Sequence, residues 1–362
     1  MMKVLWLSPT FNHYKARFLN RLANTDIILT VLTGTGRYEM GDKILEANWN
    51  FDEIKVDVPK QYYGRSKVVR DKLNSIFKEY DWIMIPAEKK NMQLFLYAIR
   101  LRKYNKNVKL FSYNHPLLKS GNGKRDLLDR MVTKFFFKAL DRVIFYTEKS
   151  CEWAIKQKLV DEKKAYWANN TIDSAEVDMY LEPRIDALNP PKMLMIGRLV
   201  KYRRLNKLFE YFITLKKYYP FIELHVIGDG PEKDSIIKFQ KENKGVFYYG
   251  ALIAEKEISL VMNKIDYVIS AGHTGLSINH SFAYKKPYIA FKDYTNHPPE
   301  YGYLDNQVNS LILSGNIDAD LKILRLYLTN KELYSELVQG VIASKSQLTI
   351  DNWVNQIHRS LH

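Results

Sequence analysis

Short apolar runs alternate with longer amphipathic segments along the whole chain, and this alternation constrains the fold more than any other feature. The predicted strands of the first half are Val4–Ser8, Ile27–Leu32, Trp82–Pro86, Val108–Tyr113, Arg142–Tyr146 and Ala165–Ala168. Those of the second half are Met193–Ile196, Ile222–Ile227, Val246–Tyr249, Tyr267–Ser270 and Tyr288–Phe291. Nearly continuous apolar strands separated by helices are typical of parallel sheets that helices cover on both faces. The pattern therefore predicts two doubly wound α/β domains.

The length agrees with two domains, because 362 residues exceed what one ordinary core holds. The stretch Leu181–Lys192 contains three prolines and no apolar periodicity, so we interpret it as the linker. The only cysteine is Cys151, which leaves no disulfide framework and no thiolate metal cluster. No apolar run approaches the roughly 18–20 residues of a bilayer span, and the N-terminus lacks the features of a signal peptide. We therefore expect a cytoplasmic protein.

The net charge of +15 is concentrated in the first half of the chain. Residues 1–185 carry 33 Lys and Arg against 22 Asp and Glu, a balance of +11, whereas residues 186–362 carry 22 against 18, a balance of +4. Three interpretations remain open: an anionic membrane or lipid-linked acceptor, nucleic acid, or a solvated lysine-rich surface. No nucleic-acid motif accompanies the charge. Within Arg125–Tyr146, the aromatic run Phe135, Phe136 and Phe137 covers a wide arc of a helix, which predicts that most of it is buried between sheet and neighbours, with membrane contact as the alternative.

The segment Gly272–Pro287 has the sequence pattern of a phosphate-binding turn. An apolar strand ends, a glycine-containing turn follows, and a helix is predicted from near Leu276. Backbone N–H groups and the positive end of a helix dipole would then converge on one small volume, which favours phosphate. Upstream, Arg198 follows Gly197, and Lys201, Arg203 and Arg204 are further candidates for the counter-charge.

The second half resembles the C-terminal domain of the retaining GT-B glycosyltransferases, the large family that includes sucrose synthase and bacterial mannosyltransferases. The segments that carry this resemblance are Ile196–Val200 with Arg203, Leu224–Pro231, Tyr249–Gly250, Asp266–Ser270, Gly275–Ser277 and Ala283–Pro287. The first half has less specific counterparts at Phe111–His115, Asp141–Glu148 and Asn170–Asp173. The resemblance implies two Rossmann-like domains that face a central cleft. We assign residues 1–185 to an acceptor-binding domain, 186–344 to a nucleotide-sugar domain and 345–362 to a helix that crosses back to the first domain.

The resemblance also implies roles for individual residues. Arg198 and Arg203 would contact the donor diphosphate, without a metal ion or other cofactor. The remaining implied donor contacts are Gly197, Leu252, Gly272, Thr274, Gly275, Leu276 and Ser277. Many relatives carry two glutamates where this chain has Gly272 and His280. We expect His280 to bond a ribose hydroxyl, and Glu300, in the segment His297–Tyr301, to be a candidate for the missing carboxylate.

On the acceptor side the resemblance points to His115, at the end of a predicted strand, where it would orient the acceptor hydroxyl. A core histidine is the alternative interpretation. The loop after the first strand adds Asn12, His13 and Lys15 as candidate acceptor contacts. The expected function is transfer of a sugar from a nucleoside diphosphate to a hydroxyl of a glycan or lipid-linked glycan, in cell-surface polysaccharide synthesis. The alternatives are a nucleotide-sugar epimerase on the same fold and a non-catalytic nucleotide- or glycan-binding protein.

Overall fold

The computed structural model describes residues 1–9, 13–35, 48–119, 126–182 and 191–362, without the side chains of His13 and Tyr14. The chain forms two compact units, Met1–Asn170 with Ile350–His362, and Thr171–Thr349. Asn12 and residues 183–190 of the predicted linker lie outside the described residues. None of the helices in the described part combines the length and hydropathy that a bilayer span requires.

The first unit is built around a seven-stranded sheet in which all neighbouring strands are parallel. Its elements are β1 (Met2–Ser8), α1 (His13–Ala23), β2 (Ile27–Thr33), β3 (Asp52–Lys55), α2 (Lys60–Tyr63), α3 (Lys67–Ile76), β4 (Trp82–Met84), α4 (Met92–Tyr104), β5 (Lys109–Asn114), α5 (Asp126–Ala139), β6 (Arg142–Phe145), α6 (Glu148–Lys156) and β7 (Ala165–Trp167). The strand order is β3-β2-β1-β4-β5-β6-β7.

The second unit contains a six-stranded parallel sheet of order β10-β9-β8-β11-β12-β13. Its elements are α7 (Ser174–Asp178), β8 (Lys192–Ile196), α8 (Leu205–Lys216), β9 (Glu223–Ile227), α9 (Lys233–Glu242), β10 (Val246–Tyr248), α10 (Glu255–Met262), β11 (Tyr267–Ser270), α11 (Ser277–Ala283), β12 (Tyr288–Phe291), β13 (Ser310–Leu313), α12 (Ile317–Tyr327) and α13 (Lys331–Gln347). The last helix, α14 (Ile350–Leu361), belongs to the first unit.

Helix α14 is held to the first unit by one large buried side chain and by polar contacts. The Trp353 indole is buried, with its ring 5.2 Å from that of Phe18 and 6.0 Å from that of Trp6. The Gln356 side chain accepts the backbone N–H of Asn169 at 2.9 Å. The end of the chain is therefore part of the apolar core beneath β1.

The eleven predicted strands are present, with ends that differ by at most two residues, and the two doubly wound parallel sheets are confirmed. The sequence pattern does not predict β3 and β13. Strand β3 lies at the sheet edge with both its end residues exposed, so it lacks a continuous apolar run. Strand β13 is also an edge strand, at one end of the second sheet.

Candidate diphosphate site

The loop after β8 lies against the loop after β9 with backbone in direct contact. Gly197 donates its N–H to the Ile227 carbonyl at 2.9 Å, and Leu199 donates to the Asp229 carbonyl at 2.9 Å. A Cβ at Gly228 would lie 1.9 Å from the Gly197 carbonyl oxygen. Because no side chain fits there, glycine is required for this approach. The contact fixes the end of β8, from which Arg198 extends as an exposed residue.

Arg203 connects the end of β8 to the turn that follows β11. Its guanidinium donates to the backbone carbonyls of His273 and Thr274, the latter at 3.0 Å. A Cβ at Gly197 would meet the Arg203 Nη2 atom at 2.5 Å, so the guanidinium lies directly beside that glycine. Burial lowers the pKa of Arg203 from its ordinary value, and its Nε atom is buried with no hydrogen-bond partner. A largely buried cation therefore lies beneath the predicted phosphate turn.

The two neighbouring basic candidates are placed differently. Arg204 has a left-handed backbone, with φ of +56°, and its guanidinium forms two hydrogen bonds to the Asp293 carboxylate at 2.9 and 2.8 Å. Lys207 joins the same carboxylate at 3.1 Å. Lys201 is exposed. Of the three basic residues Lys201, Arg203 and Arg204, Arg203 is the one that hydrogen-bonds to the turn.

Gly272 occupies a position where backbone packs against backbone. A Cβ there would lie 2.1 Å from the Tyr202 carbonyl oxygen and 2.9 Å from the carbonyl carbon of Arg203. The same Tyr202 carbonyl accepts the N–H of His273 at 3.0 Å. A glutamate at position 272 therefore does not fit unless the Tyr202–Arg203 loop moves. The structure thus gives a steric reason for glycine at position 272.

The turn continues into α11, a helix of seven residues that begins at Ser277, one residue after the predicted start. Gly275 has a φ of +86°, a conformation that favours glycine. The Ser277 hydroxyl hydrogen-bonds to the Tyr288 hydroxyl at 2.7 Å and anchors the helix to β12. Thr274 is buried, whereas Leu276 and Ser277 are partly exposed. The predicted turn residues thus form one continuous element of the second unit, partly exposed at Gly275, Leu276 and Ser277.

His297 lies against this turn and is not among the residues that the sequence pattern predicts for the site. Its Nε2 atom bonds to the Phe291 carbonyl at 2.9 Å, and its Nδ1 atom lies 3.5 Å from the Thr274 hydroxyl. Burial lowers the pKa of His297, which favours the neutral ring. Since a carbonyl only accepts, Nε2 carries the proton and Nδ1 is left as an acceptor for Thr274. The sequence signal that could have identified His297 is its position beside Pro298 and Glu300, in a segment already singled out for Glu300.

His280 and Glu300, two of the predicted donor contacts, have different surroundings. The His280 Nε2 atom lies 3.0 Å from a carboxylate oxygen of Glu255 at the start of α10. The Tyr284 hydroxyl donates to the other oxygen of Glu255 at 2.6 Å. Glu300 is buried in a short 3-10 turn, Pro299–Tyr303. Glu255 is thus a carboxylate of this region that the sequence pattern does not predict.

The candidate acceptor residues belong to the first unit. His115 is exposed at the end of β5, and its ring contacts the edge of Tyr146 at a centroid distance of 4.9 Å. The interpretation of His115 as a core histidine is therefore wrong. Lys15 lies partly buried on α1. His13 begins that helix, but its side chain is outside the described residues, as is all of Asn12.

Two further placements concern the base and a metal. Leu252, proposed near the nucleotide base, is half-buried and packs against the apolar core of the second unit. In the described part of the chain, one group of three side chains has metal-ligand spacing, namely Asp26, His358 and His362 of the first unit. The turn after β11 contributes no residue to that group.

The comparisons with known proteins agree with this fold. Residues 183–341 match the family described as Glycosyl transferases group 1, a stretch that includes the turn and Arg203. No curated protein sequence matches the chain.

Among solved structures, the chain is similar to HepE of Anabaena in complex with UDP, with a TM-score of 0.73, 15% identity and 99% of each chain covered. It is also similar to a glycosyltransferase from Rickettsia africae, with a TM-score of 0.70, 13% identity, and 99% of this chain and 97% of that chain covered. A third is sucrose-phosphate synthase of Thermosynechococcus elongatus, with a TM-score of 0.69, 14% identity, and coverage of 99% and 98%. At these identities the likeness shows the fold, and the predicted GT-B fold is confirmed. Together, the family match and the fold support a glycosyltransferase.

Proposed function

We propose that the protein is a retaining glycosyltransferase that moves a sugar from a nucleoside diphosphate donor to a hydroxyl of a glycan or lipid-linked glycan. The observation that carries this proposal is the Arg203 guanidinium, held beside Gly197 and bonded to the turn after β11. A buried cation joined to a glycine-rich turn suits a diphosphate, because charge-assisted hydrogen bonds are strong where water is excluded.

The chemistry requires stabilisation of a leaving group. When the bond between the anomeric carbon and the β-phosphate oxygen breaks, that oxygen gains negative charge. Arg198 and Arg203 would stabilise this charge together with backbone N–H groups of the turn, so that no metal ion is needed. The acceptor hydroxyl oxygen then bonds to the same face of the anomeric carbon. Its proton passes to the departing phosphate oxygen, and His115 orients the hydroxyl.

We place the ribose against His280. The His280 Nε2 atom donates to the Glu255 carboxylate at 3.0 Å, and Nδ1 would hydrogen-bond to a ribose hydroxyl. Glu255 would then orient the ring rather than bind the donor itself, which is a positioning role. Glu300 is the proposed carboxylate near the sugar, and Leu252 the proposed contact of the base.

The donor base is tested first with UDP, since the similar HepE structures contain UDP and one of them UDP-glucose. The experiment measures thermal stabilisation by UDP-, GDP-, dTDP- and CMP-sugars, followed by donor hydrolysis with the stabilising sugar. We expect hydrolysis without added metal. Conversion of the sugar to an epimer would favour an epimerase, and binding without turnover in the presence of glycan acceptors would favour a binding protein.

Arg198→Ala provides the sharper test of the site. We expect it to abolish transfer and to weaken nucleoside diphosphate binding, whereas Lys244→Ala, on another exposed loop of the same unit, should leave both unchanged. Unchanged turnover in Arg198→Ala would refute the assignment of the diphosphate site.

The proposal extends to the cellular setting, a cytoplasmic enzyme at the inner face of an anionic membrane that contributes to cell-surface polysaccharide synthesis. The concentration of positive charge in residues 1–185 supports it. A membrane contact would bring the enzyme to a lipid-linked acceptor without a membrane-spanning helix.

A further inference from the structure

Helix α5 exposes a continuous apolar stripe on the face that points away from the sheet. The four side chains of the stripe are exposed to 75% (Leu127), 48% (Leu128), 61% (Met131) and 47% (Phe135). On the opposite face, Phe136 and Phe137 are fully buried in the apolar core of the first unit. The predicted burial of the aromatic run therefore holds for two of its three residues, and Phe135 belongs to the stripe.

Positive charge lies on the same outward face. Lys134 and Lys138 are exposed between and beyond the apolar side chains. The two acidic residues of the helix do not offset them, because Asp126 pairs with Arg130 and the buried Asp129 pairs with Lys89. The face is thus apolar and cationic at once.

The neighbouring helix α4 extends this character. It packs beside α5 through Phe95, whose ring lies 4.2 Å from that of Phe136. Its exposed residues include Leu96, Arg100 and Lys103, and the helix contains no acidic residue. Large exposed apolar patches on soluble domains are uncommon and mark interaction sites.

We propose that the outward face of α5 docks on an anionic lipid surface. A helix that lies in the membrane interface combines apolar side chains, which enter the headgroup boundary, with lysines that attract acidic lipids. The stripe from Leu127 to Phe135 spans about 12 Å along the helix, enough for all four apolar side chains to enter together. The positive charge favours acidic lipids over neutral lipids. It also favours acidic lipids over an acceptor protein that lacks an acidic surface.

This docking deepens the proposed function without depending on the donor site. Helix α5 belongs to the same unit as His115, which directly follows β5. If α5 docks on the membrane, His115 lies in the unit that contacts the membrane. A lipid-linked acceptor resides in that same membrane. Binding to vesicles requires neither donor nor turnover, so failure of one proposal is distinguishable from failure of the other.

The test is co-sedimentation of the full chain with vesicles of phosphatidylcholine, with and without about 30 mol% phosphatidylglycerol. We expect binding to the acidic vesicles only. Met131→Gln and Phe135→Gln should each lower the partition constant, and Lys134→Gln should lower it about fivefold, since one well-placed cation contributes about that factor. The matched control is Leu326→Gln on α12 of the second unit, also an exposed apolar residue, which should bind like the wild type.

A fluorescent label provides a direct readout of the face. Burial raises the pKa of the thiol of Cys151, the only cysteine, to about 12, so this residue labels poorly. An environment-sensitive dye on Met131→Cys should shift to shorter wavelength on acidic vesicles, whereas the dye on Leu326→Cys should not. Absence of wild-type binding to acidic vesicles, or equal shifts at both positions, would overturn the proposal. So would a wild-type dimer in sedimentation velocity that Met131→Gln makes monomeric, because the face would then bind a second copy.

Discussion

The contact at Gly272 leads to the most direct prediction. Replacement by alanine adds one methyl group, which would lie 2.1 Å from the Tyr202 carbonyl oxygen and 2.9 Å from the Arg203 carbonyl carbon. Both obstacles are backbone atoms, so no side-chain rotation relieves the overlap. Tyr202 and Arg203 must move away, and the 3.0 Å hydrogen bond from the His273 N–H to the Tyr202 carbonyl must lengthen or break.

The expected loss of stability follows from these two effects. Overpacking of this kind costs about 1–3 kcal/mol, and a lost hydrogen bond about 0.5–1.5 kcal/mol. The sum of about 1.5–4.5 kcal/mol corresponds to a fall in Tm of about 3–18 °C for a unit of this size. Because Arg203 moves with Tyr202, nucleoside diphosphate affinity should also fall, by about tenfold or more.

The assay is thermal unfolding of Gly272→Ala, with titration of the nucleoside diphosphate that stabilises the wild type best. Gly275→Ala is the matched control. Its added methyl group would have neighbours at 3.8 and 4.0 Å only, so the remaining loss of stability is that of an alanine held at a φ of +86°. That conformation costs about 1–2 kcal/mol. Wild-type stability in Gly272→Ala would refute the steric argument. Faster transfer in Gly272→Glu would refute it too, because the site would then accept a carboxylate at this position.

Three further predictions concern neighbouring side chains. Arg203→Ala should lower kcat by about 100- to 1000-fold, whereas Arg204→Ala, which removes only the ion pair with Asp293, should lower Tm and leave kcat within about threefold. His280→Ala should bind the nucleoside diphosphate and its 2′-deoxy analogue equally, and isothermal titration calorimetry that still shows discrimination would contradict the ribose role. His297 has a pKa lowered by burial, so the unfolded state binds more protons and stability is lost as the pH falls below about 6.5. His297→Gln should therefore reduce the fall in Tm between pH 7 and pH 5, although His225, whose pKa burial also lowers, keeps part of it.

The sequence predicts the sheets well because buried parallel strands are continuous apolar runs, as in β11 and β12, whose bounds agree with the prediction. The order of segments along the chain also places the loop of Arg203 and the turn of Gly272 after two neighbouring strands, β8 and β11. The sequence therefore predicts that these two segments lie together. It does not reveal which of the clustered cations reaches the turn. That choice depends on Asp293, about 90 residues beyond Arg204, which forms two hydrogen bonds with Arg204 and leaves Arg203 to the turn. Nor does it reveal the partner of His280, since Glu255 is far from it in sequence.

The contacts of Arg203 mean that its structural and chemical contributions are coupled. The guanidinium donates to the carbonyls of His273 and Thr274, so it holds the turn in shape as well as supplying positive charge. A lysine carries the same charge but lacks the planar fork that bonds to two groups at once. Arg203 therefore has a mechanical role as well as an electrostatic one, next to a glycine that admits the Tyr202 backbone. Gly272 and Arg203 therefore depend on each other. The close approach of the Tyr202–Arg203 loop to Gly272 places the guanidinium against the turn, and the hydrogen bonds of the guanidinium to the turn hold the loop in place.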